Sequence, residues 1–184
     1  MRKIVLLTLV ALSNAAFGQD DMMKMMEAAA KPGEVHKLIG KMAGDWTVEV
    51  EFKMGEMEGK SSAECHAEWI LDGRFLSKKY SSEMMGQPFT VLQTIGYDNL
   101  RKEVFEWQIE SNNTGRLETK GKVAGDQKSI TCTGDSMDPM TMKPAKLKTV
   151  TKFVDDDTYV IEWWMKVGEA EETKQVTLTH KRKK

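Results

Sequence analysis

From Trp46 onward, polar and apolar residues alternate in short runs, and the alternation restarts after each cluster of turn-forming residues. Trp46, Val48, Val50 and Phe52 fall on one face of an extended segment, and Thr47, Glu49, Glu51 and Lys53 on the other, because successive side chains of a strand point to opposite sides. The stretch 55–59 predicts a loop, 62–71 a second strand, and Asp72-Gly73 a hairpin turn into 74–81. Turn signals at Gly86-Gln87-Pro88, Asp98-Asn99, 112–115, Gly125-Asp126, 135–144 and Asp155-Asp156-Asp157 separate the remaining segments, and 174–182 closes the set. The pattern predicts about ten strands of roughly 8 residues, longer than the usual 5–6. Strands laid end to end with short turns close on themselves, so the fold expected is all-β: a single antiparallel up-and-down β-barrel over residues 34–184.

The start of the chain follows a different pattern. Arg2 and Lys3 precede the apolar run 4–12, and Ala16-Phe17-Gly18 supplies small residues before Gln19. This is the arrangement of a cleaved signal peptide over residues 1–18, which predicts export to the periplasm or beyond. The run is shorter than the roughly 20 residues of a membrane-spanning helix, and no later segment approaches that length. Residues 19–33 are Met-rich and read as flexible or helical. In 34–43, Val35, Leu38, Ile39 and Met42 recur at helical spacing until Gly44, predicting a short helix that caps the barrel.

Charge changes the picture little. The 184 residues carry a formal charge of −1, with positive and negative side chains well mixed. The basic end Lys181-Arg182-Lys183-Lys184 reads as a solvated terminus, not the broad basic face of a nucleic-acid binder. Neither nucleic acid nor a membrane span is expected. Cys65 and Cys132 are the only thiols. A simple meander puts their strands on opposite walls, whereas bridged Cα atoms must come within about 7 Å, so two free buried thiols are expected.

Several runs carry a resemblance: Pro32 with His36-Lys37-Leu38, Gly44-Asp45-Trp46-Thr47-Val48, Leu71-Asp72-Gly73-Arg74-Phe75-Leu76 and Met85-Gly86-Gln87-Pro88-Phe89. They continue with Gly96-Tyr97-Asp98-Asn99, Gly134 with Asp138-Pro139-Met140-Thr141, and Asp155-Asp156-Asp157-Thr158. Together they resemble a bacterial family of exported proteins, domain of unknown function 1579. The resemblance implies a lipocalin-like barrel and no known activity. Gly44-x-Trp46 with Arg182 near the chain end also resembles the calycin signature. It implies structural closure, with Arg182 stacked on the Trp46 indole.

Candidate ligand-binding residues are His36, Arg74, Tyr97, Trp107, Arg116, Glu162 and His180. His36 lies on the capping helix, where it can meet a ligand or hydrogen-bond a loop. Arg74, Tyr97, Trp107 and Arg116 would line a polar-rimmed cavity in which an Arg fork receives a carboxylate. Glu162 interrupts the face Val160/Trp164, so a buried carboxylate is expected there, partnered by Lys148 or Lys152. His180 shares an inward face with Val176, Leu178 and Arg182. Its place near the chain end is similar to that of the haem-ligating His of nitrobindins, but no other haem motif is present and no cofactor is assigned. The acidic turns lack Ca²⁺-loop spacing. Met22-Met23 and Met25-Met26 offer soft thioethers to Cu(I), and a flexible apolar helix face explains them equally well, so no metal site is assigned.

No nucleophile motif, phosphate loop or metalloprotease signature occurs, and no catalytic residue is assigned. The function expected is binding of a small, partly apolar or amphipathic ligand in the barrel interior. The alternatives are a cavity enzyme for a lipid-like or small ester substrate, with His36 or Glu162 as acid–base, and an interaction module for an unidentified envelope protein.

Overall fold

The computed structural model describes residues 18–184, so most of the expected signal peptide lies outside the described residues. Ten strands follow two short helices: α1 (Gln19–Ala30), α2 (Glu34–Gly40), β1 (Gly44–Met54), β2 (Met57–Ile70), β3 (Phe75–Met84), β4 (Gln87–Asp98), β5 (Glu103–Glu110), β6 (Leu117–Val123), β7 (Ser129–Met137), β8 (Pro144–Phe153), β9 (Thr158–Val167) and β10 (Thr173–Arg182). Each strand pairs antiparallel with its sequence neighbours, and β1 pairs with β10 to close the barrel. Every edge is thereby removed, which suits long strands that would otherwise expose unpaired backbone groups.

The register is set by parity. Trp46 stands opposite Arg182 and Val48 opposite His180, so the apolar face of β1 and the mixed face of β10 both turn inward. One expected loop is shorter than the turn residues imply. The β1–β2 connection is only Gly55-Glu56, and Gly59 sits within β2 opposite Phe52. The Phe52 ring lies where a Cβ on residue 59 would be, 2.7 Å from it, so this glycine makes room for an aromatic side chain and does not mark a turn. At the β6–β7 corner, Cβ atoms on Gly121 and Gly134 would meet the backbone oxygens of Thr131 and Glu118 at 1.8 and 2.0 Å. Only glycine permits so close an approach of neighbouring strands at a barrel bend.

The core is densest at the end covered by α2, where Leu38, Ile39, Met42, Trp46, Leu76, Ile95, Val104, Ile130 and Tyr159 are all buried. The helix ends at Gly40, earlier than the apolar spacing predicts. Lys41, Met42 and Ala43 continue it with bonds to the carbonyls of Leu38, Ile39 and Gly40, a tighter final turn that leaves carbonyls to be satisfied from elsewhere. α1 buries none of its residues. It is held through its C-terminal carbonyls, by Asn99 on Ala29 and Lys31 and by Arg74 on Ala30. Among the described residues no helix is long and apolar enough to cross a membrane.

Cys65 and Cys132 are free and buried, on β2 and β7. Burial pushes both thiols up, and the thiolate is the reactive form. Neither should react with an aromatic disulfide reagent at pH 8 until the barrel is unfolded in urea, when two equivalents should be released. Fast release from the native protein would show that the wall around these thiols opens.

Candidate functional site

The interior is filled by side chains, and at mid-height many of them are polar. Lys78 on β3, Gln93 on β4, Glu106 and Gln108 on β5, Thr119 on β6 and Thr149 on β8 point inward and are buried. A buried carboxylate needs partners. Glu106 has two, the hydroxyls of Thr119 and Thr149, which donate to its Oε2 at 2.8 and 2.7 Å. Its Oε1 receives no hydrogen bond among the described residues. Here lies a pocket of about 10 Å³, lined by Gln93, Glu106, Gln108, Thr119 and Thr149 with Leu117, Leu147 and Trp163 as apolar walls. That is about the space of one water molecule and far below the 300–1,000 Å³ of an ordinary small-molecule site. A second, shallow cleft of about 520 Å³ lies where β2 and β3 part beyond the Ala63–Ser82 pair. It is lined mainly by serines and glutamates.

A second polar group lies nearer the closed end. The Lys78 ammonium sits 5.1 and 5.4 Å from the ring centres of Tyr80 and Tyr159. Burial pulls its pKa below the usual lysine value, while Cys65 and Glu106 oppose that pull. His180 is wholly buried, stacked on Tyr159 at 4.0 Å with Nε2 3.1 Å from the Tyr80 hydroxyl. Burial, and then the Lys78 charge, hold it well below the ordinary histidine value. Its ring face and Nε2 are taken, while Nδ1 and the Tyr159 hydroxyl are buried without a hydrogen-bond partner among the described residues.

The expected site residues fall in several places. His36 is buried in α2, its Nδ1 accepting the Gly33 N–H at 3.1 Å and its ring edge-on to Tyr97 at 5.9 Å. Burial lowers its pKa. Arg74 donates to the carbonyls of Ala30 and Leu71 and to Asp72. Arg116 is exposed and meets Glu118 at 2.9 Å. Trp107 stands on the outer wall, 37% exposed, because β5 turns Val104, Glu106 and Gln108 inward. Glu162 is also outside, where Lys152 at 2.8 Å, Trp164 and Lys174 surround it. Burial alone would raise its pKa, but the Lys152 hydrogen bond and charge, helped by Lys174, bring it below the usual value. The face expected inside, Val160 with Glu162 and Trp164, is therefore the outer one, and Tyr159, Ile161 and Trp163 are inward. Lys148 pairs instead with Glu172. His36 and Glu162 share no pocket.

At the closed end the Arg182 guanidinium lies 4.1 Å over the Trp46 ring. It also donates to the carbonyls of Lys41, Ala43 and Asp156, and so satisfies the groups that the tight end of α2 leaves open.

A family described as a protein of unknown function (DUF1579) matches residues 31–182, which take in α2 and all ten strands. The chain belongs to this family. No curated protein matches it. Among solved structures it is similar to Rv2717c from M. tuberculosis, at 12% identity and a TM-score of 0.60, over 84% of this chain and 100% of that one. It is also similar to a redesigned β-barrel at 12% identity and a TM-score of 0.43, over 79% and 94%. At such identity the first likeness concerns the fold alone, and the family carries no activity with it.

The residues that build the pocket, Gln93, Glu106, Gln108, Thr119 and Thr149, belong to no motif. Their one signal is the alternation Val104, Glu106, Gln108, legible only once the register has turned that face inward.

Proposed function

We propose that this is an exported binding protein whose barrel interior takes the head of a small amphipathic ligand at Glu106. The observation that carries the reading is a buried carboxylate with one oxygen saturated and the other open to a pocket between polar and apolar walls. The pocket seats a water-sized group. A longer ligand lies with its remaining carbons against Leu117 and Trp163, which are only half-buried. An acid–base role for His36 or Glu162 gains no support, since neither lines the pocket.

Native mass spectrometry of the protein purified after export tests this. The expected result is an added small-molecule mass that leaves on denaturation and is lost in Glu106→Gln. A bare polypeptide from several growth conditions, or an adduct indifferent to Glu106, counts against it. One observation favours an interaction module as a second reading: Leu92 and Trp107 are substantially exposed on the outer wall beside the Phe75–Phe105 pair, whose rings lie 6.0 Å apart. Such a patch predicts a retained partner released by Trp107→Glu.

A further inference from the structure

We infer that the Glu106 pocket selects a primary ammonium group, so that the ligand is a small protonated amine with an apolar tail. The inference rests on the ligand-binding reading above and adds the chemistry of the head.

The open groups in the pocket are the Glu106 carboxylate oxygen, a charged acceptor, and the amides of Gln93 and Gln108, which can each donate or accept. Glu106 is 6% exposed, and its free Oε1 is a charged acceptor with no lysine or arginine nitrogen within 4.0 Å among the described residues. The buried cation Lys78 lies over the rings of Tyr80 and Tyr159 and feels the Glu106 charge, but it makes no ion pair with Glu106 within 4.0 Å. Gln108 spends an amide hydrogen on Glu110 Oε1 at 2.8 Å, and its carbonyl oxygen has no donor among the described residues. Gln93, cross-strand from Gln108, brings a second amide. Trp163 contributes an aromatic wall, and an indole face attracts a cation.

Three head groups of suitable size compare simply. An ammonium brings three donors and a charge opposite to that of Glu106, and charge-assisted hydrogen bonds are roughly twice as strong as neutral ones. A hydroxyl brings one donor and no charge. A carboxylate brings only acceptors and a like charge, and it exceeds the space. A cavity of about 10 Å³ matches –NH₃⁺, which is about the size of a water molecule, and the attached carbons then run outward along Leu117, Leu147 and Trp163.

The test is a titration of the folded protein with n-butylammonium, n-butanol and butyrate at matched ionic strength. It is followed by NMR of the Gln93 and Gln108 side-chain amides and the Thr119 and Thr149 methyls. Saturable shifts are expected for n-butylammonium at least tenfold more tightly than for butanol, with none for butyrate, and Glu106→Gln should remove that preference. Butanol or butyrate binding as well as the amine would overturn the ammonium assignment and leave the ligand-binding reading standing. No saturable shift from any of the three would overturn both. The charge preference is read on the unsubstituted protein, so the outcome holds even if Glu106→Gln folds poorly.

Discussion

Trp46→Ala should lower the unfolding free energy by about 3–5 kcal/mol, while Trp107→Ala should cost about 1 kcal/mol or less. Both are tryptophans on strands, Trp46 buried at the closed end and Trp107 on the outer wall. Trp46 is 1% exposed, donates through Nε1 to the Met42 carbonyl at 2.9 Å and meets Tyr159 edge-on at 4.7 Å. Its outer face carries Arg182. Removing the indole empties the closed end, orphans a buried carbonyl and strips the guanidinium of its support, three losses that fall on the same few residues. Trp107 touches solvent and leaves no cavity when truncated. Urea unfolding followed by far-ultraviolet circular dichroism measures both. Trp46→Ala unfolding within 1 kcal/mol of Trp107→Ala would mean that the closed end does not hold the barrel together.

The elements that were legible before any coordinates share a physical cause. Alternation in 46–52, the Asp72-Gly73 turn and the Asp155-Asp156-Asp157 turn report local geometry, and local geometry is what side-chain parity and turn chemistry encode. Ten strands and their meander order follow from that alone. Gly59 reads as part of a loop because glycine usually marks one; its true reason is the Phe52 ring across the strand pair, a contact no single segment contains.

The pocket stayed hidden for a related reason. Parity tells the two faces of a strand apart, and apolarity is then used to choose the inner one. In β5 that choice points outward, since Phe105, Trp107 and Ile109 are the more apolar face yet Val104, Glu106 and Gln108 are inside. In β9 both faces are apolar and Glu162 tips the reading toward a buried carboxylate, when Tyr159, Ile161 and Trp163 are the inner set. A barrel whose middle layer is polar inverts the usual inference, and only pairing to an anchored neighbour resolves it. Trp46 facing Arg182 is such an anchor. Carried strand by strand around the barrel, it places Glu106 inside.

The second polar group, nearer the closed end, should make the fold sensitive to acid. His180 is fully buried among Tyr80, Tyr159, Trp46 and Lys78, and its pKa is held well below the ordinary value by burial first and the Lys78 charge second. The unfolded chain takes up this proton below about pH 6.5, whereas the folded chain does not until much lower. The unfolded state therefore binds more protons in that interval, and stability falls as pH falls through it. One proton of this kind removes about 2 kcal/mol between pH 8 and pH 5. His36, lowered by burial, acts in the same direction. His66, raised by its hydrogen bond to Asp45, acts in the opposite one but is exposed. Stopping at pH 5 keeps the lowered carboxylates of Asp98 and Asp138 out of the comparison, since their loss belongs to more acid solution. His180→Phe keeps a flat ring against Tyr159 and removes the titrating nitrogen. It should lower stability at pH 8, because the Tyr80 hydroxyl loses its partner, while flattening the fall toward pH 5. Urea midpoints of both proteins at pH 8, 6.5 and 5 decide the matter. An unchanged slope in the variant would assign the acid sensitivity to His36 and leave the His180 stack without a role in it.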